Sequence, residues 1–135
     1  MSAEDKVKII QTMYEAFGRG DVGAIVERLA DDDLDWGAEA TSTGAPWYGV
    51  CRSKDDVRNF FTAFASAVDV EEFVPFSMAA EGDDVFAIVR FRGKSRATGK
   101  PITMNLHHYF TLRDGKVVFY RGSEDTAQVV AALRS

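Results

Sequence analysis

At 135 residues, 46% hydrophobic and 27% charged, the chain has the size and composition of one soluble globular domain spanning 1–135, which excludes a disordered or fibrous protein. A net charge of -5 leaves no clustered Lys and Arg for a phosphate backbone, so no nucleic-acid partner is expected. A single cysteine, Cys51, forms no internal disulfide, the opening MSAEDKVKII lacks the apolar core of a secretory signal, and no apolar run reaches the ~20 residues of a membrane helix. A soluble cytoplasmic protein with no membrane partner is the expectation.

In chain order, Val7, Ile10, Met13, Tyr14 and Phe17 recur at spacings of three and four, which predicts an amphipathic helix over 3–17. Gly18 and Gly20 stop it. Asp21 then caps a shorter helix carrying Val22, Ile25, Val26 and Leu29 on one face. After an acidic stretch, Leu34 and Trp36 alternate with Asp33 and Asp35 as a short strand that opens the loop TSTGAPWYG. Ser53 is the N-cap of a third helix over 54–68, with Asp56 placed to return a bond to the cap backbone. Its stripe of Val57, Phe60, Phe61, Phe64, Ala65 and Val68 is rich in phenylalanine.

Beyond Val68 the pattern alternates, and turn signals at EGDD, ATGKP and RDG divide it into four antiparallel strands over 72–80, 85–97, 102–113 and 116–124. Asp125 caps a closing helix, with Gln128 completing a capping box and Val129, Val130 and Leu133 as its apolar side. Helices packed on one face of a curved antiparallel sheet is the α+β architecture this order predicts.

The segments YEAFGRGD, LADDD, the YG before a capped helix, RATGKPI, HYFTLRDGKV and EDTAQVVAAL, taken in that order, resemble the SnoaL-like polyketide cyclases and ketosteroid isomerase-like proteins of the nuclear transport factor 2-like fold. The resemblance spans nearly the whole chain. It implies a cone-shaped fold whose sheet curls around a pocket, and a homodimer pairing through the outer sheet face. It implies no single reaction, because isomerases, cyclases, hydrolases and non-catalytic members share the fold.

In the strand over 102–113 the even positions form an apolar face on which His108 is the one ionisable group. Such a histidine serves as base, acid or hydrogen-bond donor, or is simply a core residue satisfied by a neighbour. By the resemblance, His108 stands where ketosteroid isomerases carry a protonated aspartate that donates to the substrate oxygen. Its neighbours depend on the RDG turn. A three-residue loop with Gly115 left-handed pairs Leu112 with Lys116, sets His108 opposite Tyr120 and turns Tyr120, Gly122 and Glu124 inward. A two-residue turn of Asp114 and Gly115 would turn Arg121, Ser123 and Asp125 inward instead. The first is preferred, since it agrees with the family pattern and leaves Arg121 outward.

Glu124 then becomes a pocket carboxylate of raised pKa, or else a solvated strand end. His108 and Glu124 are the candidate catalytic pair for cofactor-free acid/base isomerisation or cyclisation. The general base of the isomerases aligns with Gly37, so that base is missing, with Asp35 and Glu39 substituting only if the loop differs in length. Their tyrosine donor aligns near Met13, one residue and ~100° of helix from Tyr14. Tyr14, Trp36, Trp47, Tyr48, Phe60, Phe64 and Tyr120 are the candidate ligand-binding residues, as an aromatic lining for a flat apolar molecule. His107 and His108 point to opposite faces and cannot share a metal, so no metal site or cofactor is expected. A non-catalytic binding or dimeric interaction module is the alternative function.

Overall fold

The structure, a computed structural model, describes residues 1–135. Helix α1 runs Ala3–Gly18 and buries Ile10, Met13 and Ala16. Its start is closed by a capping box in which Asp5 N–H donates to the Ser2 hydroxyl and Ser2 N–H to the Asp5 carboxylate, each at 3.1 Å, satisfying two otherwise orphaned donors. Asp21 caps α2, Val22–Glu27. Leu29 falls beyond that helix and bridges in parallel to Val117.

Strand β1, Asp35–Ala38, pairs with the two-residue β2, Val50–Cys51, a strand too short to leave a periodic signal in the sequence. Helix α3 covers Lys54–Ala67. Its capping carboxylate differs from expectation: Asp56 accepts from Arg52 N–H at 3.3 Å and not from the cap residue's own backbone. Val68, assigned to the helix by its spacing, is the first residue of β3, Val68–Glu81, because Val68 and Val70 find ladder partners in Ser95 and Gly93. A helical stripe and a strand face share a residue here. Strands β4 (Asp84–Ser95), β5 (Pro101–Arg113) and β6 (Lys116–Ser123) complete the meander.

The six strands form one sheet in the order β2-β1-β6-β5-β4-β3, antiparallel except where β1 runs parallel to β6. Edge strand β3 carries bulges at Glu71 and Phe76, which sharpen its twist, and Pro75 sits there, on an edge that tolerates a missing donor. Helix α4, Thr126–Leu133, follows the Asp125 cap. Gln128 does not close the expected box. Its side-chain amide donates to the Asp125 carboxylate at 3.4 Å and its carbonyl accepts from Thr103 N–H at 2.6 Å, so it ties the helix to β5 instead. No helix is long and apolar enough to cross a membrane.

The core has two parts. One gathers α1, α2 and the β1, β6 end of the sheet around Ile10, Leu29, Trp36, Val117 and Tyr120. The other lies between α4, the 45–47 loop and the β4, β5 end, around Val68, Val89, Phe91, Ile102 and Val129. Tyr14 and Phe60 pack against both. Residues of both clusters border a hollow beneath the sheet.

Candidate functional site

The hollow is a cavity of about 90 Å³, and 13 of its 15 lining residues are hydrophobic. Helix α1 contributes Met13, Tyr14 and Phe17, α3 contributes Phe60, Phe61 and Phe64, the sheet contributes Trp36, Phe73, Leu106, His108, Phe110 and Tyr120, and Glu124 joins them from just beyond β6. Of the predicted lining, Tyr14, Trp36, Trp47, Phe60, Phe64 and Tyr120 are present. Tyr48 is not in the wall. Its hydroxyl instead donates to Glu124 Oε2 at 2.8 Å. Phe17, Phe61, Phe73 and Phe110 went unpredicted as lining. Phe61 lies on the α3 stripe and Phe110 on the inward face of β5, so periodicity points to them. Phe73 carries no such signal, since its facing depends on the bulge at Glu71.

The strand alternation delivers His108 inward and His107 to the opposite, exposed face. Tyr14, from α1, lies parallel to the imidazole and places its hydroxyl 2.7 Å from His108 Nδ1. The ~100° offset from the isomerase tyrosine position therefore does not take Tyr14 out of the site, because Met13 and Tyr14 both border the cavity. Burial, with a smaller contribution from His107, lowers the His108 pKa from 6.5 to about 3. The ring is neutral at neutral pH, one nitrogen donating and the other accepting. Tyr14 and Tyr120 are pushed well above the ordinary phenol range by burial, so both stay protonated.

The RDG hairpin is built differently from the preferred expectation. Arg113 pairs with Lys116 and Leu112 with Val117, so Asp114 and Gly115 form a two-residue turn, with φ of 52° and 76°, the left-handed pair of a type I′ turn. Two-residue geometry alone would turn Arg121 inward. A bulge at Val118 restores the parity: Thr111 pairs with Phe119, Phe110 with Tyr120 and His108 with Gly122. Tyr120, Gly122 and Glu124 thus face inward as expected, but His108 stands opposite Gly122 and not Tyr120. A methyl on Gly122 would overlap the Tyr120 hydroxyl and touch the His108 ring. Glycine leaves the room in which Tyr120 lies back along its strand beside the imidazole.

Glu124 is drawn in two directions. Burial raises its pKa, and the Tyr48 hydrogen bond opposes that rise by stabilising the carboxylate. A carboxylate held with a raised pKa at the rim of an apolar cavity is a competent proton acceptor. Asp35 and Glu39 are turned away, toward Arg121 at 2.8 and 3.8 Å, and neither lines the cavity. Gly37 admits no side chain, since a Cβ there would run into the Gly49 carbonyl. The acidic cluster is spent on surface pairs, Asp31 with Lys54 and Asp33 with Arg113.

A curved sheet closed by helices over an aromatic cavity, with His108 midway along β5 and Glu124 just beyond β6, defines a SnoaL-like protein of nuclear transport factor 2-like fold. The SnoaL-like domain matches residues 10–120, and the chain belongs to that family. Among solved structures, an NTF2-like protein from Burkholderia thailandensis is similar over 100% of both chains at 28% identity, with a TM-score of 0.85. A protein from Xanthomonas campestris described as a polyketide cyclase is similar over 98% of each chain, at 18% identity and a TM-score of 0.76. TerC, solved with polyporic acid, is similar over 96% of this chain and 98% of its own, at 18% identity and a TM-score of 0.84. Among curated proteins, none matches the chain.

Proposed function

We propose that the chain binds a small, flat, apolar molecule in this cavity and moves a proton on it, with Glu124 as base and His108, backed by Tyr14, as the second proton-handling group. Isomerisation or cyclisation of a polyketide-like or steroid-like compound is the reaction class. One observation carries the reading: a neutral imidazole, hydrogen-bonded at 2.7 Å by a helix tyrosine, shares an otherwise apolar cavity with a half-buried glutamate. The Tyr14 bond uses Nδ1 and leaves Nε2 as the ring's second polar atom. A relative described as a polyketide cyclase and one solved with polyporic acid support the ligand class.

Cavity volume bounds the ligand. About 90 Å³ is smaller than the ~150 Å³ of a cavity that holds benzene, and pockets for drug-sized ligands span roughly 300–1,000 Å³. A fused-ring ligand enters only if the phenylalanines of α3 turn aside. His108→Ala should lower kcat of a substrate found by screening by ~100-fold or more, within the usual contribution of general acid/base groups, and unchanged turnover removes the role assigned to His108.

A second reading, binding without chemistry, is favoured by one observation: the position that aligns with the isomerase base is Gly37, where no side chain fits. Native mass spectrometry separates the two. A ligand that is retained and returned unaltered after prolonged incubation supports binding alone. We also propose a homodimer through the outer sheet face, where Phe76, Phe86 and Tyr109 remain 47%, 44% and 37% exposed.

A further inference from the structure

Trp47 and Phe60 border two hollows. One is the cavity described above, and the other, of about 260 Å³, reaches the surface at exposed Pro46, Val50 and Asn59. Joined, the two reach the lower end of the range for drug-sized ligands. A short segment carrying Trp47 keeps them apart. On one side it is anchored: Ala45 is 3% exposed in a core shared with Val129 and Ala132 of α4, and a side chain on Gly44 would strike Val130. On the other side it ends at Gly49, whose φ of 132° suits glycine alone, and Val50 then joins the sheet through Gly37. Between these anchors, residues 46–48 make one hydrogen bond to the rest of the fold, from the Tyr48 hydroxyl to Glu124 Oε2 at 2.8 Å. The Tyr48 N–H only closes a turn on the Ala45 carbonyl.

We propose that residues 46–49 are a lid over the empty cavity, with Tyr48 as the positioning residue that latches it to Glu124, and that opening the lid joins the two hollows and frees the carboxylate for a ligand. The proposal rests on the reading above of the cavity as an apolar-ligand site with Glu124 as base. A hydroxyl bonded to an ionised carboxylate is held about twice as strongly as one bonded to a neutral acceptor. Closing therefore favours the charged form of Glu124, and by linkage a proton on Glu124 favours opening. The other titratable groups around that carboxylate do not compete. His108 from β5 is already neutral, Tyr48, Tyr14 and Tyr120 are held protonated by burial, Asp125 accepts from Gln128 N–H as the α4 cap, and α3 offers only phenylalanines to the cavity.

Protein labelled with fluorotryptophan tests this through Trp36 and Trp47, the two tryptophans of the chain, with Trp47→Phe assigning the ¹⁹F resonances. A neutral gadolinium chelate in solution broadens whichever ring meets water. In Tyr48→Phe the open fraction should rise about tenfold, broadening Trp47 and leaving Trp36, 3% exposed, sharp. In the wild type the Trp47 broadening should grow as pH falls from about 8 toward the ordinary carboxylate value of 4.5, because the charged acceptor is lost. Tyr48→Phe should show none of that pH dependence. Glu124→Gln, a neutral acceptor at every pH, should hold Trp47 at the wild type's low-pH value throughout, and it carries the test if Tyr48→Phe does not fold. N-phenyl-1-naphthylamine, an uncharged fluorescent molecule larger than the cavity, should bind Tyr48→Phe about tenfold more tightly than the wild type, since affinity scales with the open fraction. Trp47 broadening that is equal in wild type and variants and flat with pH overturns the lid, and dye binding of equal strength in all of them then leaves the cavity reading standing. Dye binding to none of them overturns the cavity reading, and the lid falls with it.

Discussion

Burial drives the two ionisable groups of the cavity in opposite directions. It removes a proton from His108 and favours one on Glu124, because in both cases the charged form is the one that loses its hydration. The imidazole consequence is measurable as stability. With a folded pKa of about 3 against an ordinary 6.5, the unfolded chain binds a proton between those pH values that the folded chain refuses. Stability from this group is therefore complete above pH 6.5 and is lost as pH falls toward 3. Between pH 7 and 5 the wild type should lose about 2 kcal/mol more than His108→Asn, measured by urea unfolding. Parallel pH profiles for the two proteins would show that the ring is not held neutral by its surroundings.

Among the elements, the hairpin of β5 and β6 decides what the cavity contains. A type I′ turn with a regular ladder would swing Arg121 inward, and one extra residue, Val118, reverses that. Loss of a residue from a central strand ordinarily flips every side chain beyond it. Removing Val118 should not, because Thr111 with Phe119, Phe110 with Tyr120 and His108 with Gly122 remain partners in the regular ladder that results. The deletion variant should fold, lose no more than about 3 kcal/mol, and keep the Tyr14 and His108 resonances of the wild type. Collapse of the near-ultraviolet circular dichroism spectrum in that variant would mean that the bulge is needed for folding and not only for parity.

For the whole molecule, residues of both core clusters border the cavity, and the same sheet presents aromatic surface on its other side. Phe86 stacks on Tyr109 at 5.0 Å and Tyr109 packs on Phe119 at 5.2 Å, a continuous patch of the kind that marks an interface. Sedimentation equilibrium at tens of micromolar should return twice the 14.9 kDa chain mass. Phe86→Asp should shift the protein to monomer with its helix and strand content intact, since the residue touches no core. A wild-type protein that sediments as a monomer removes the dimer.

Local chemistry was enough to place α1, α2, α3 and the four long strands, because an apolar stripe at helical spacing, an alternating run and a capping aspartate each act over a few residues. His108 was legible for the same reason: alternation along one strand makes it the sole ionisable group on an apolar face, whatever surrounds the strand. Tertiary structure alone decided the rest. Tyr14 meets His108 across 94 positions of sequence, Tyr48 meets Glu124 across 76, and the inward turn of Tyr120 depends on a bulge whose residue, Val118, is an ordinary strand former. Such pairings are settled by how helices seat on a twisted sheet, a global packing problem in which no short window of residues holds the answer.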